Sequence, residues 1–254
     1  MIEVKNIYKS FDGVPVLKDV SAVFETGKTN LIIGQSGSGK TVLMKSVVGI
    51  HEVDRGNIIY DNRDVTRMRG KEKNRFRREI GMLFQGSALF DSLTVLENVL
   101  FPLEMFSDDT YEEKVERAKF CLERVDLLRA INLFPSEISG GMQKRAAIAR
   151  AIVLNPKYLF CDEPNSGLDP KTSLLIDKLV QEITHEFNIT TIINTHDMNS
   201  VMEIGENIVF INKGEKAWQG NKDEIYDTGC KPLEDLIFAS ELYKKIKHAH
   251  NMNL

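Results

Sequence analysis

The chain has 254 residues, 42% of them hydrophobic, which is enough core for one large domain or two small ones. Its 33 basic residues against 37 acidic ones leave a net charge of −4, and that excludes a global field favouring nucleic acid. No apolar run reaches about 18 residues, so no spanning helix is expected, the opening Met1-Ile2-Glu3-Val4-Lys5 lacks an apolar signal core and points to the cytosol, and Cys121, Cys161 and Cys230 are too few and scattered for a disulfide or metal framework.

Ile2–Ile7, Ala22–Phe24 and Ile58–Tyr60 alternate in polarity and suit an antiparallel layer. The apolar run Leu31-Ile32-Ile33 then meets Gly34-Gln35-Ser36-Gly37-Ser38-Gly39-Lys40-Thr41, followed by the helical pattern Val42-Leu43-Met44. This is a complete G-x-x-x-x-G-K-[ST] phosphate loop in its strand–loop–helix frame. The glycines let backbone N–H groups converge on oxygen, Lys40 supplies a point charge at the β- and γ-phosphates, and the Thr41 hydroxyl can ligate Mg²⁺. Residues 67–78 hold seven cations, but Glu72 and Glu79 interrupt them and Phe76 is the only aromatic, so a solvated helix face is expected.

A strand-like run, Ile80–Phe84, precedes Gln85, and from Thr94 to Leu154 strand signals give way to helices. Asp108-Asp109 is expected to cap one of them, with Val115, Ala118, Cys121 and Leu122 along one side. The stretch from Phe84 to Phe106 is apolar on more than one face. Part must be core, and Leu89, Phe90 and Leu93 are the expected lining of an exposed groove for a short helix. Ser139-Gly140-Gly141 opens the helical segment Met142–Leu154, with Ser139 as cap. A second anion-binding helix start is odd in a chain acting alone, and it makes sense if it closes over the nucleotide of a second copy. Tyr158–Cys161 reads as a buried parallel strand ending in two acids. Asp162 there would meet Mg²⁺ through water, and Glu163 would hold the attacking water. The strand Thr191–Ile193 leads to His196, expected at the γ-phosphate, and Ile208–Ile211 leads to a hairpin turn at Lys213-Gly214. Strands alternating with helices imply a mostly parallel sheet covered on both faces. His51, His185, His248 and His250 share no motif. The tail from Leu233 reads as helical, then basic.

From Ile2 to about Gly220 the chain resembles the ATP-binding subunits of ABC transporters, with the motifs in family order. Phe11 stands where the family stacks an aromatic on adenine, with Tyr8 the alternative. Gly34–Thr41 match the phosphate loop, and Gln85 the glutamine that senses Mg²⁺ and the attacking water. Ser139, Gly140 and Gly141 match the family signature, and Asp162 and Glu163 the metal-binding and catalytic acids. Asp169, in Ser166-Gly167-Leu168-Asp169, matches the loop that communicates across the dimer, and His196 the switch histidine. The resemblance implies a P-loop NTPase (RecA-like) α/β core of residues 1–92 and 155–220 with an antiparallel β layer, a helical subdomain at 93–154 and a helical tail at 221–254. It implies ATP and Mg²⁺ as cofactors, a homodimer sandwiching two ATPs, and an integral membrane permease that binds the segment after Gln85. Such a subunit sits on the cytoplasmic face of the cell membrane.

The signature departs from the family's Leu-Ser-Gly-Gly-Gln, reading Ile138-Ser139-Gly140-Gly141-Met142. Met142 and the segment Gly86–Val95 look like the Mla-type branch, which serves Mce-domain lipid transport, so phospholipid or another hydrophobic cargo and a Mce-domain partner are implied. Asn165, where many relatives carry threonine, has no reading from sequence. A soluble ATPase of a cytosolic assembly, such as iron–sulfur cluster delivery, is the alternative. The Ser-Gly-Gly element speaks against a nucleotide-dependent kinase.

Overall fold

The computed structural model describes residues 1–238, so His248, His250 and the last part of the expected tail lie outside the described residues. In chain order the elements are β1 (Ile2–Phe11), β2 (Val14–Phe24), β3 (Thr29–Ile33), α1 (Lys40–Val48), β4 (Arg55–Tyr60), β5 (Arg63–Asp64), α2 (Gly70–Arg77), β6 (Ile80–Leu83) and α3 (Val95–Phe106). There follow α4 (Tyr111–Arg124), α5 (Gly140–Ile152), β7 (Tyr158–Asp162), α6 (Pro170–Glu186), β8 (Thr190–Asn194), α7 (Met198–Ile204), β9 (Asn207–Asn212), β10 (Glu215–Gly220) and α8 (Lys231–Ile237). The described residues form two compact units, one of residues 1–25, 29–67 and 194–238, the other of residues 26–28 and 68–193.

The first unit holds the antiparallel layer, in strand order β2-β1-β4-β5. Strand β1 buries Ile2, Val4 and Ile7, a set that breaks simple alternation. The break is a bulge. Asn6 takes the left-handed conformation (φ 48°), the register slips between Val4 and Ile7, and Ile7 turns back to the core face. On β2 Asp19 (φ 53°) does the same, and the Asn6 amide donates to its carboxylate at 2.8 Å. The same unit runs β3 parallel to β9 and β10 antiparallel to β9. All of β3 is buried, as a strand covered on both faces must be. The hairpin turn falls at Lys213 and Gly214, both with positive φ, where the dipeptide predicts it.

In the second unit the strand order is β8-β7-β6, with β6 parallel to β7. Helices α3, α4 and α5 pack on one another. Ala146, Ala147, Ala149 and Ala151 keep α5 narrow, and Gly81 lets β6 lie against its end, since a Cβ there would fall 2.3 Å from the Ala151 carbonyl oxygen. The cap of α4 is Thr110, not Asp108-Asp109. Thr110 accepts from the Glu113 N–H at 3.3 Å while Glu113 reaches back to the Thr110 N–H at 2.8 Å. That reciprocal box satisfies two orphan donors, which a lone aspartate does not. No helix among the described residues is long and apolar enough to cross a membrane.

Candidate nucleotide site

The phosphate loop lies in the first unit. Gly34 leaves β3 at φ 153°, and a Cβ there would sit 2.2 Å from the Ile211 carbonyl oxygen and 2.6 Å from Ser38 Oγ, so no larger residue fits. The back of the loop is braced by the hairpin turn: Gly214 N–H donates to the Ser38 carbonyl at 3.0 Å, and Lys18 N–H to the Gly214 carbonyl at 2.8 Å. Lys40 is buried and curls over the loop, its Nζ donating to the carbonyls of Gly34 at 2.9 Å and Gln35 at 3.1 Å. Gly39 caps α1 at φ 105°, with Gln35, Ser36 and Gly37 exposed before it. Ser38 Oγ is buried without a hydrogen-bond partner, beside a helix start with no acid in its first turn. An unsatisfied hydroxyl, a cation and open N–H groups together fit a polyphosphate.

Thr41 Oγ1 is exposed and accepts from the Asn194 amide at 3.2 Å. The Thr195 N–H donates to the Ile32 carbonyl at 3.2 Å, which brings the stretch ending at His196 alongside β3, with the His196 side chain exposed. Asn194 was not singled out from sequence, because it reads as the last residue of an apolar strand. Phe11 is 39% exposed at the end of β1, edge-on to His51 at 5.3 Å, with Lys9 Nζ 5.2 Å from its ring. Tyr8 is comparably exposed, at 36%.

The second unit carries the acids. Asp162 ends β7, and Glu163 follows in the left-handed conformation, φ 47°. A glutamate there costs of order 1 kcal/mol or more and persists only when its surroundings hold it. One holder is Gln85, whose amide donates to Glu163 Oε2 at 2.9 Å and to Ser166 Oγ at 3.4 Å. Asn165 donates to both carboxylate oxygens of buried Asp177, at 3.4 and 3.2 Å, so its amide satisfies an acid of α6 directly beneath this loop. Buried Cys161 has its thiol pushed far up by desolvation.

Ser139 caps α5, accepting from the Met142 N–H at 3.3 Å, and is exposed at the tip. Gly140 and Gly141 follow, and a Cβ on Gly141 would press within 2.8 Å of Thr172 Cγ2. Thr172 in turn donates to Asp169 at 2.5 Å, and that bond, with two backbone donors, holds the Asp169 carboxyl below the usual range. Asp169 is thus the cap of α6 as well as part of the expected dimer loop.

A groove of about 630 Å³ opens beside β6 and α3. Phe84, Phe90, Phe101 and Phe106 line it together with Arg77, Arg78 and Arg150. Leu89 and Leu93 do not line it, and both are half-buried. Asn98 makes the difference. It accepts from the Phe90 N–H at 2.8 Å and donates to the carbonyls of Phe90, Leu93 and Thr94, which fixes the bend that turns Phe90 onto Phe101, 4.7 Å away.

A family model described as "ABC transporter" matches residues 17–166. The chain is 39% identical over 241 residues to the methionine import ATP-binding protein MetN of Clostridium acetobutylicum, covering 95% of this chain and 75% of that one. It is 33% identical to the sulfate/thiosulfate import ATP-binding protein CysA 2 of Shewanella oneidensis, covering 98% and 71%. Among solved structures, the ATP-binding cassette MJ0796, dimeric and bound to ADP and Pi, superposes with a TM-score of 0.79 at 33% identity over 87% of this chain and 99% of that one.

Proposed function

Because the chain belongs to the ABC transporter family of ATP-binding proteins, whose ATP hydrolysis is coupled to transport, we propose that two copies close over two ATP molecules to drive a membrane permease that moves phospholipid or another hydrophobic cargo. In this reading Lys40 and the N–H groups of Gly34–Thr41 bind the β- and γ-phosphates of one ATP, and Phe11 stacks on its adenine. Ser139, Gly140 and Gly141 of the second copy meet its γ-phosphate, an assignment supported by an exposed cap on a helix with no acid in its first turn. Glu163 holds and polarises the attacking water, Gln85 orients Glu163, and His196 contacts the γ-phosphate. Mg²⁺, which neutralises phosphate charge when bound, would be held by Thr41, with Asp162 and Gln85 at longer range. Asp169 links the two copies.

The observation that carries the reading is the Gln85–Glu163 hydrogen bond at 2.9 Å. It couples a strained acid at a strand end to the loop that leads into the aromatic groove, and a transport motor needs that connection. The permease helix docks in the groove, and its acidic groups find Arg77, Arg78 and Arg150. In this reading residues 1–92 and 155–220 are the core with its antiparallel β layer, 93–154 the helical subdomain and 221–254 the tail. The protein is peripheral, on the cytoplasmic face of the cell membrane.

The lipid cargo rests on Met142 and on Gly86–Val95, the features that resemble the Mla-type branch, with a Mce-domain subunit as further partner. The named relatives are ATP-binding proteins of methionine import and of sulfate/thiosulfate import, so overall identity at this level does not set the cargo, and the lipid reading stands on those two features alone. The test is to purify the chain with its membrane subunits and identify what co-purifies by mass spectrometry. Phospholipid held in stoichiometric amounts, with ATP-dependent transfer between vesicles, is expected. A complex free of lipid that accumulates methionine or sulfate would overturn the lipid reading and leave the ATPase standing.

A further inference from the structure

Helix α5 carries two cations whose polar partners are all carbonyls of one loop. Lys144 is 5% exposed, and its Nζ donates to the Gln85 carbonyl oxygen. Further along the helix Arg150 donates through Nη1 to the Ala88 carbonyl and through Nη2 to the Ser87 carbonyl, both at 2.7 Å. Neither forms an ion pair among the described residues. Burial pushes the pKa of both downward, for Lys144 against the opposing pull of nearby Cys161 and Glu163 and for Arg150 with no carboxylate opposing it.

The loop they hold does not keep its shape unaided. Ser87 and Ala88 are consecutive non-glycine residues in the left-handed region, with φ 62° and 50°. A guanidinium that forks across both of their carbonyls fixes that bend, as planar bidentate donors do. The two ends of the loop face different things. Gln85 reaches Glu163, whereas Ala88 and Arg150 line the aromatic groove.

We propose that Lys144 and Arg150 are positioning residues that clamp the Gln85–Ala88 loop to the helix beginning at Ser139, so that tip, loop and Glu163 answer to one another. Lys144 sets where the Gln85 side chain departs toward Glu163. Arg150 fixes the groove end. A methionine or a lysine, respectively, would fill the same space and lose the clamp. The proposal rests on Glu163 orienting water.

The test uses the full chain with Lys144→Met, Lys144→Arg and Glu163→Gln compared with wild type for kcat, ATP affinity, melting and amide hydrogen exchange. Lys144→Met should lower kcat about tenfold or more, since small misplacements of a catalytic group are that costly. Its ATP affinity should stay within about threefold, because uniform binding is not what is lost. Exchange at the Ser87 and Ala88 amides should rise about tenfold or more. Lys144→Arg, which can donate to the same carbonyl, should restore most of both. Unchanged kcat or unchanged exchange in Lys144→Met, or failure of Lys144→Arg as complete as that of Lys144→Met, overturns the clamp. If Lys144→Met does not fold, Arg150→Lys carries the test, with the Ser87–Ala88 exchange expected to rise and kcat to fall, and either one unchanged counting against it. Wild-type turnover in Glu163→Gln would instead sink the role of Glu163, whatever the exchange shows.

Discussion

At the scale of single residues, the groups proposed for binding and for turnover lie in different units. Lys40 sits inside the phosphate loop, its ammonium spent on the Gly34 and Gln35 carbonyls and able to turn to phosphate oxygens instead. Glu163 lies in the other unit, strained and held by Gln85. Lys40→Ala is therefore expected to lose ATP affinity outright. Glu163→Gln, nearly the same shape but unable to act as base, should keep affinity and lose about two orders of magnitude or more in kcat. Equilibrium binding of a fluorescent ATP analogue beside phosphate release separates the two; equal loss of binding in both variants would refute the division. Glu163, Lys40 and Thr41 stand out as candidates from sequence because each belongs to a spaced motif. Asn194, Lys144 and Arg150 were not. Their partners are a Thr41 hydroxyl and the backbone carbonyls of Gln85, Ser87 and Ala88, and a carbonyl has no letter in the sequence. Asn165 became readable only with Asp177 beside it.

Elements show where local rules decided the outcome and where they were outbid. The expected start of α4 at Asp108-Asp109 moved to Thr110 because Thr110 and Glu113 satisfy each other's orphan N–H groups. Thr110→Ala should cost about 1 kcal/mol by urea denaturation, and the matching Thr94→Ala on α3 a similar amount. Asp108→Ala should cost far less; a reversal of that order would return the cap to the aspartates. The groove was expected on Leu89, Phe90 and Leu93, and only Phe90 faces it. Periodicity cannot see the Asn98 side chain, which bends the segment and turns the leucines away. Phe90→Asp should therefore leave folding and ATP binding intact and abolish co-purification with the permease. Leu93→Asp, placed in a half-buried position, should instead lower the melting temperature. If Phe90→Asp assembles normally, the permease docks elsewhere.

For the whole molecule, the strand and helix alternation foretold the parallel pairs, the antiparallel layer and the helical block, since buried parallel strands and amphipathic helices leave unlike periodicities. The bulges at Asn6 and Asp19 were not foretold, because each inserts one residue into a period-two pattern and looks like noise. The odd feature of the chain remains its two anion-ready helix starts, one with Lys40 and one capped by exposed Ser139 without an acid in its first turn. The central claim is that these serve the same nucleotide from different copies. Light scattering of Glu163→Gln with saturating MgATP, alone and combined with Ser139→Arg, tests it directly. The single variant should run as a dimer with one ATP per chain, and the double variant as a monomer that still binds ATP through its own phosphate loop. A single variant that stays monomeric with ATP bound, or a double variant that dimerises undiminished, would contradict the shared site.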